Sequence, residues 1–343
     1  MRRFVTLGLG VLAVWTAAAQ RPAAAQEPAA STLRWRFALG QQFIYETHTT
    51  VDGALTISSA ADADDAREVP LRLEAVDRTR YEVKTLTGAG LATLEARLLS
   101  LTVTTHLPGS QPLTIERRDD ALLIRVGERE WLLPPFEQDP RTPAEVLDAC
   151  HGWDPQGLLA PSVAAVTPSG VWTQRSGQPW SDHLARLGWV GQLAAYCQPF
   201  GRAWPELPSQ AVAAGDEWEQ VRAPRLPGDA AETYPLPVVY SLGADQQVDG
   251  RTLRPVSFEG AALVQDRAAR LSVPFGLALE LTIGALSHRL SGQILLDATG
   301  GRWVSQELRA QVSSQATETN GAQPTRLDSA VTVSAESTLV EAP

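Results

Sequence analysis

The chain has 343 residues, with 39 acidic side chains against 29 basic ones and a formal net charge of −10. An acidic chain with no basic run is repelled by phosphate backbones and anionic lipid surfaces, which argues against nucleic acid as a partner. Its length is enough for roughly two ordinary domains, each with a core of its own.

Residues 1–25 read as a cleaved secretory signal. Arg2 and Arg3 form the charged start, Phe4 to Ala19 the apolar run, and Ala23-Ala24-Ala25 a small-residue cleavage site. The mature chain is therefore expected in the periplasm or outside the cell. No later run is long and apolar enough to cross a bilayer as a helix. No cysteine lies near the cleavage point to carry a lipid.

From residue 26 to 134 the pattern is that of a first β unit. Leu33, Trp35 and Phe37 alternate with Arg34 and Arg36, and Phe43 and Tyr45 continue the apolar set beyond Gly40. Alternation of period two means a strand with one face buried. Residues 58–68, small and acidic, read as a loop; Asp62, Asp64 and Asp65 lack the turn glycine and distal Glu of a calcium site. Val69, Leu71, Leu73 and Ala75 alternate up to Asp77-Arg78-Thr79, after which Tyr81 and Val83 resume, so the spacing predicts a hairpin turning at 77–79. Further one-sided strands follow at Leu99 to Leu107, Leu113 to Ile115 and Leu122 to Val126. One apolar face and one wet face favour antiparallel sheet.

The character changes over residues 135–203. Between Pro134 and Pro208 lie eleven of the 24 prolines and five of the ten tryptophans. Thr142-Pro143-Ala144-Glu145 fits a capping box opening a short helix that carries Val146, Leu147 and Cys150. Ser181 is placed to cap a second helix, with Leu184, Leu187, Val190, Ala194 and Cys197 at helical spacing, although Gly188 and Gly191 weaken it. The intervening 154–180 reads as an irregular surface wrap.

A second β unit spans 204–343. Its opening A-x-G-x-x-W, Ala213 to Trp218, repeats the A-x-G-x-x-F of Ala38 to Phe43. Val76 to Val83 has a counterpart in Val248 to Val256, Leu101 to Val103 in Leu281 to Ile283, and the Asp119-Asp120 turn in Asp297 to Gly301. Their shared order suggests an internal duplication. The fold expected is mainly β: two related antiparallel units, curved sheets or half-barrels, separated by a short helical insert rich in Pro and Trp.

Candidate chemistry is sparse. Cys150 and Cys197 are the only cysteines, and an even count in an exported chain points to a disulfide closing a loop of about 48 residues, worth about 4 kcal/mol. His151 and His183 lie near them, but adjacent ligands at 150 and 151 suit neither structural zinc nor a Cys-His nucleophile pair. No nucleophile elbow, H-E-x-x-H, phosphate loop or dinucleotide fingerprint occurs, so no catalytic residue, metal or cofactor is assigned. Trp153, Trp172, Trp180, Trp189 and Trp204 form either the insert's own small core or a surface that stacks on sugars or an apolar ligand.

Pro205-x-Leu207-Pro208-x3-Val212-x2-Gly215-Asp216-x-Trp218 resembles the P-x-L-P-x3-V-x2-G-D-x-W phrase of an exported bacterial family known only as a domain of unknown function. The resemblance implies a signal, an N-terminal strand phrase, a helical middle and β structure after G-D-x-W. Ala211 and Ala213 stand where that family has charged residues, and the cysteine pair is a further departure. The family brings no activity, so three functional readings stay open: a non-catalytic binding or scaffolding module of the envelope, a carrier of lipid or another apolar molecule, and a secreted hydrolase. A continuous apolar pocket above about 300 Å³ would favour the carrier and a filled core the scaffold; ionisable groups converging in a cleft would favour the hydrolase.

Overall fold

The computed structural model describes residues 30–59, 62–106, 111–133, 155–185, 188–198, 205–226, 232–272, 278–318 and 324–341. The signal, the helix expected at Thr142, Cys150, His151, Trp153 and Trp204 lie outside these residues.

The chain is mainly β, with one antiparallel sheet and a helical insert. The first meander is β1 (Gln42–Ser59), β2 (Asp62–Leu86), β3 (Ala92–His106), β4 (Leu113–Arg118), β5 (Ala121–Val126) and β6 (Arg129–Leu133). The insert holds α1 (Pro155–Leu159), β7 (Ser162–Val166), β8 (Trp172–Ser176), α2 (Trp180–Leu184) and α3 (Gly188–Tyr196). The second meander is β9 (Glu217–Arg222), β10 (Leu236–Leu242), β11 (Gln246–Val248), β12 (Arg251–Ser272), β13 (Ala278–Asp297), β14 (Arg302–Glu318) and β15 (Thr325–Glu341). The sheet runs β6-β5-β4-β3-β2-β1-β15-β14-β13-β12-β10-β9. The two meanders are thus zipped together through β1 and β15, from Ile44 opposite Glu341 to Ser59 opposite Thr325.

Alternation decides which face is buried. In β1, Phe43, Tyr45, Thr47, Thr49 and Val51 point inward between exposed neighbours. The expected hairpin at 77–79 does not exist: β2 runs unbroken through it, and Asp77 and Thr79 are buried inner-face residues. The chain reverses instead between Ser59 and Asp62, inside the acidic stretch expected to be a loop. Leu33 and Trp35 are buried and Arg34 and Arg36 exposed, as alternation requires. Their hydrogen bonds, however, go to turns: Trp35 N to Pro168 O and Arg36 N to Gly301 O, both 2.8 Å.

Glycines on the inner face let the sheet bend. A Cβ at Gly53 would collide with the Ala330 carbonyl across the β1–β15 seam, and one at Gly292 with the Phe258 ring. Glycine at such sites marks a sharp bend or a close backbone approach. Gly53→Ala is expected to destabilise the protein by about 1–3 kcal/mol in urea unfolding. Gly88→Ala, which meets nothing within 4 Å, is expected to change stability by less than about 0.5 kcal/mol.

The two A-x-G-x-x-aromatic phrases build the same corner, bond for bond. Gly40 and Gly215 have φ of 76° and 95°, a left-handed conformation that glycine adopts without steric cost. Gln41 Oε1 accepts from Ala38 N at 3.0 Å, as Asp216 Oδ2 does from Ala213 N at 2.7 Å. Gly40 and Gly215 donate to Val83 O and Leu242 O, whose own amides return bonds to Gln41 O and Asp216 O. Phe43 then stacks on Tyr81, and Trp218 on Tyr240, each pair with centroids 5.5 Å apart. Beyond the corner the likeness lapses. β9 has 6 residues where β1 has 18, and Val248-Asp249-Gly250-Arg251 is a true two-residue hairpin turn, with Asp249 and Gly250 at φ 50° and 74°, where Val76 to Val83 is mid-strand.

The insert is not an irregular surface wrap. β7 pairs with the start of β3, Ala92 opposite Val166 to Ala96 opposite Ser162, and β8 pairs with β7. The expected helix from Ser181 is two: α2 ends at its cap, Ala185, and α3 opens at Gly188. Glycines 188 and 191 cost a continuous helix about 1 kcal/mol each. α3 lies against β1, β2 and β15, so Leu184, Leu193, Ala194 and Cys197 join one continuous core with the inner face of the sheet. Two buried hydrogen bonds fix the docking: Gln198 Nε2 to Thr49 Oγ1 at 2.9 Å, and the Trp180 side chain to the Asp77 carboxyl.

Candidate ligand-binding site

One cavity of about 260 Å³ remains between the insert and the sheet, partly open to solvent. Helical spacing supplies one wall: Trp189, Leu193 and Tyr196 on α3 recur at i, i+4 and i+7 and so share a face. Trp172 of β8, Pro179 and Ala185 extend the apolar surface. Trp172 and Pro179 also line a neighbouring hollow of about 30 Å³, room for a water-sized occupant, so they mark one end of the cavity. Pro224, Arg225 and His288 line only the larger space.

Strand alternation brings His288 inside. Gly284 bulges out of register with β14, which shifts the buried phase from Leu281 and Ile283 to Leu286, His288 and Leu290. His288 is 1% exposed, and its Nδ1 lies 2.6 Å from Tyr234 Oη. Burial holds the imidazole neutral by lowering its pKa from 6.5 to about 4. The phenol is the better donor of this pair, so Nδ1 accepts and Nε2 carries the proton. His288 Nε2, Tyr196 Oη and Arg225 Nε are all shut from water with no hydrogen-bond partner among the described residues. Leaving such groups unpaired costs about 1–3 kcal/mol each. The Tyr196 and His288 rings meet edge to face at 6.1 Å.

Behind them sits Arg222, 8% exposed. Its Nε and Nη2 donate to Tyr240 Oη at 3.1 and 2.8 Å, and Nη2 also donates to Gln220 Oε1 at 2.8 Å. These partners are neutral, and no carboxylate pairs with Arg222 among the described residues. Asp182, the one carboxylate on the cavity lining, is exposed.

Of the aromatic residues singled out in sequence, Trp172 and Trp189 line the cavity, while Trp180 is buried over Asp77 and belongs to the core. Cys197 is a free thiol, fully buried; the expected bond to Cys150, which lies outside the described residues, is not seen. Burial raises the Cys197 pKa far above its ordinary value, so it forms no thiolate. No cluster of metal-ligating side chains occurs among the described residues. His288, Tyr196 and Arg225 were not singled out; the one sequence signal was a histidine in a position where alternation calls for an apolar side chain.

Larger hollows, about 730 and 520 Å³, lie on the wet outer face between charged side chains such as Arg289, Arg309 and Glu307. Among the described residues no buried unpartnered polar atom belongs to their linings, so the inner cavity is the better candidate.

No protein-family model matches the chain, and no curated protein matches it in sequence. Among solved structures it is similar to Pseudomonas aeruginosa OccK5 (OpdH), at 8% identity over 87% of this chain and 99% of that one, with a TM-score of 0.22. It is also similar to OccK2 (OpdF) of the same organism in complex with glucuronate, at 10% identity over 88% and 99%, with a TM-score of 0.18. At these scores the likeness carries no argument about function.

Proposed function

We propose that the chain is a non-catalytic binding module of the cell envelope that holds one small, mainly apolar molecule beneath its helical insert. The observation that carries this reading is the 260 Å³ cavity with its Trp172, Trp189 and Leu193 walls and its interspersed polar groups, the composition of ordinary ligand sites. The volume exceeds the roughly 150 Å³ that admits benzene into an engineered core. It falls short of the about 300 Å³ expected of a carrier, and the rest of the inner face is filled by one continuous core. A lipid-carrying role is therefore the weaker reading. Placement in the envelope rests on the signal read in residues 1–25.

Hydrolysis has less support. Asp77, with its pKa raised by burial to about 8, and His288 are the described carboxylate and imidazole most displaced from their ordinary values. They line no common cavity, since Asp77 faces Trp180 under α2.

The test is calorimetric titration of the purified chain with 1-decanol, a neutral apolar probe. Saturable one-to-one binding is expected. Ala185→Trp, which fills the cavity from its lining, should weaken it by about tenfold or more while thermal unfolding stays that of the wild type. Absence of saturable binding, or undiminished binding by the filled variant, would sink the proposal.

A further inference from the structure

The buried polar groups of the cavity suit one kind of head group, an inference that rests on the pocket reading above. Three residues that line the same space, His288, Tyr196 and Arg225, each carry a buried polar atom, Nε2, Oη and Nε, with no hydrogen-bond partner among the described residues. The imidazole tautomer set by Tyr234 makes Nε2 a donor, Nε of a guanidinium is always a donor, and a phenol donates readily. Among these three groups a cation would find no acceptor beyond that hydroxyl oxygen, and the one carboxylate on the lining, Asp182, is exposed. A neutral alcohol oxygen can accept from two of the donors but brings no charge to balance the guanidinium.

The charge balance points the same way. Arg225 lines the cavity, and Arg222 is buried close enough for its charge to act on Tyr196. Neither is paired with a carboxylate among the described residues, and a buried cation is stable only when compensated. The rest of the lining is mainly apolar, with Trp172, Trp189 and Leu193 beside the polar Ser181, Asp182 and Gln192. We propose that the occupant is a small amphipathic carboxylate, its anionic end held by Arg225, His288 Nε2–H and the Tyr196 hydroxyl and its hydrocarbon body laid along Leu193, Trp189 and Trp172. One carboxylate has two oxygens and four lone-pair sites, enough to satisfy all three donors at once.

The test compares decanoate, 1-decanol and decyltrimethylammonium by calorimetry on the full chain at pH 7.5. Decanoate is expected to bind about tenfold or more tightly than decanol, and the ammonium least of all. Arg225→Met, which keeps much of the side chain's length and removes its charge, should lower the decanoate-to-decanol affinity ratio by about tenfold. Equal binding of decanoate and decanol by the wild type, or a preference that survives R225M, would overturn the head-group assignment while the pocket reading stands. If no probe binds, the pocket reading itself fails. Should R225M lose decanol as well, Tyr196→Phe decides: it preserves ring packing and both arginines, and a reduced preference for decanoate supports the assignment where an unchanged one refutes it.

Discussion

Trp303→Ala is expected to lower the free energy of unfolding by about 3–5 kcal/mol, the range for deleting a large aromatic from a packed core. Trp303 is 0% exposed at the start of β14. Its ring meets Tyr45 edge to face at 4.9 Å, and Tyr45 in turn meets Phe43 at 5.7 Å and Tyr81 at 6.0 Å. The pair spans β15, since Tyr45 lies on β1 and Trp303 on β14, so it ties both meanders at the same end of the sheet. The Tyr45 hydroxyl donates to the Trp303 main-chain carbonyl at 3.0 Å, a bond the substitution leaves in place; the loss is one of packing and cavity. Total stabilities of about 5–15 kcal/mol make this a large fraction. Urea unfolding should show a lower midpoint with an unchanged slope, and Trp303→Phe should recover part of the difference. A midpoint shift below about 1 kcal/mol would mean that the aromatic cluster does not bear on the seam as described.

Asp77→Asn is expected to remove a pH dependence that the wild type carries. The folded-state pKa of Asp77 stands near 8 against an ordinary 3.8, because burial penalises the carboxylate more than the Thr79 and Trp180 hydrogen bonds stabilise it. Between those values the folded protein keeps a proton that the unfolded chain has lost. The Asp77 contribution is therefore fully present below about pH 4 and declines as pH rises toward 8, by up to about tenfold in the folding constant per pH unit. His288 acts oppositely: its pKa falls from 6.5 to about 4 on burial, so its contribution is present above 6.5 and lost as pH falls toward 4. The two offset one another from about 4 to 6.5, and Asp77 acts alone above that. Denaturant unfolding at a series of pH values should give the wild type a decline from 6.5 to 8 that the Asn variant lacks. A variant that declines equally would place the titration elsewhere.

These effects show where the sequence is readable and where it is not. One-sided strands follow from alternation, because burying one face of a pleated strand leaves a period of two in its side chains. Val69 to Ala75 and Tyr81 to Val83 are inner-face residues of β2, as their spacing predicts. Asp77 and Thr79 interrupt the apolar run with polar side chains that pair with the insert and with each other, the Thr79 hydroxyl donating to Asp77 at 2.9 Å. A buried polar pair looks like a turn when its partner, Trp180, is a hundred residues away. The actual reversal near Ser59 hid within an acidic run that has the composition of a longer loop. The two corners at Gly40 and Gly215 were legible because their whole device, a left-handed glycine followed by a capping side chain and an aromatic, is local. The cavity was not: its unpartnered polar groups lie on α3, the segment after β9, and β13, brought together only by the docking of the insert. Trp172 and Trp189 were marked by residue type, whereas the phase shift at Gly284 that turns His288 inward is visible only in the pairing.

The β1–β15 seam has a kinetic consequence. Thr47 and Ser337, joined by a hydroxyl hydrogen bond in that seam, are 290 residues apart in the chain. Contacts of such sequence separation raise the contact order, and loop closure must be met before they return any energy, which puts the middle of the sheet among the last parts to form. Until it does, each meander carries a long bare edge, and such edges invite strand exchange between molecules. The centre of the finished sheet is in this sense its most exposed part during folding, and a swapped dimer joined through β1 and β15 is the misassembly this topology most favours.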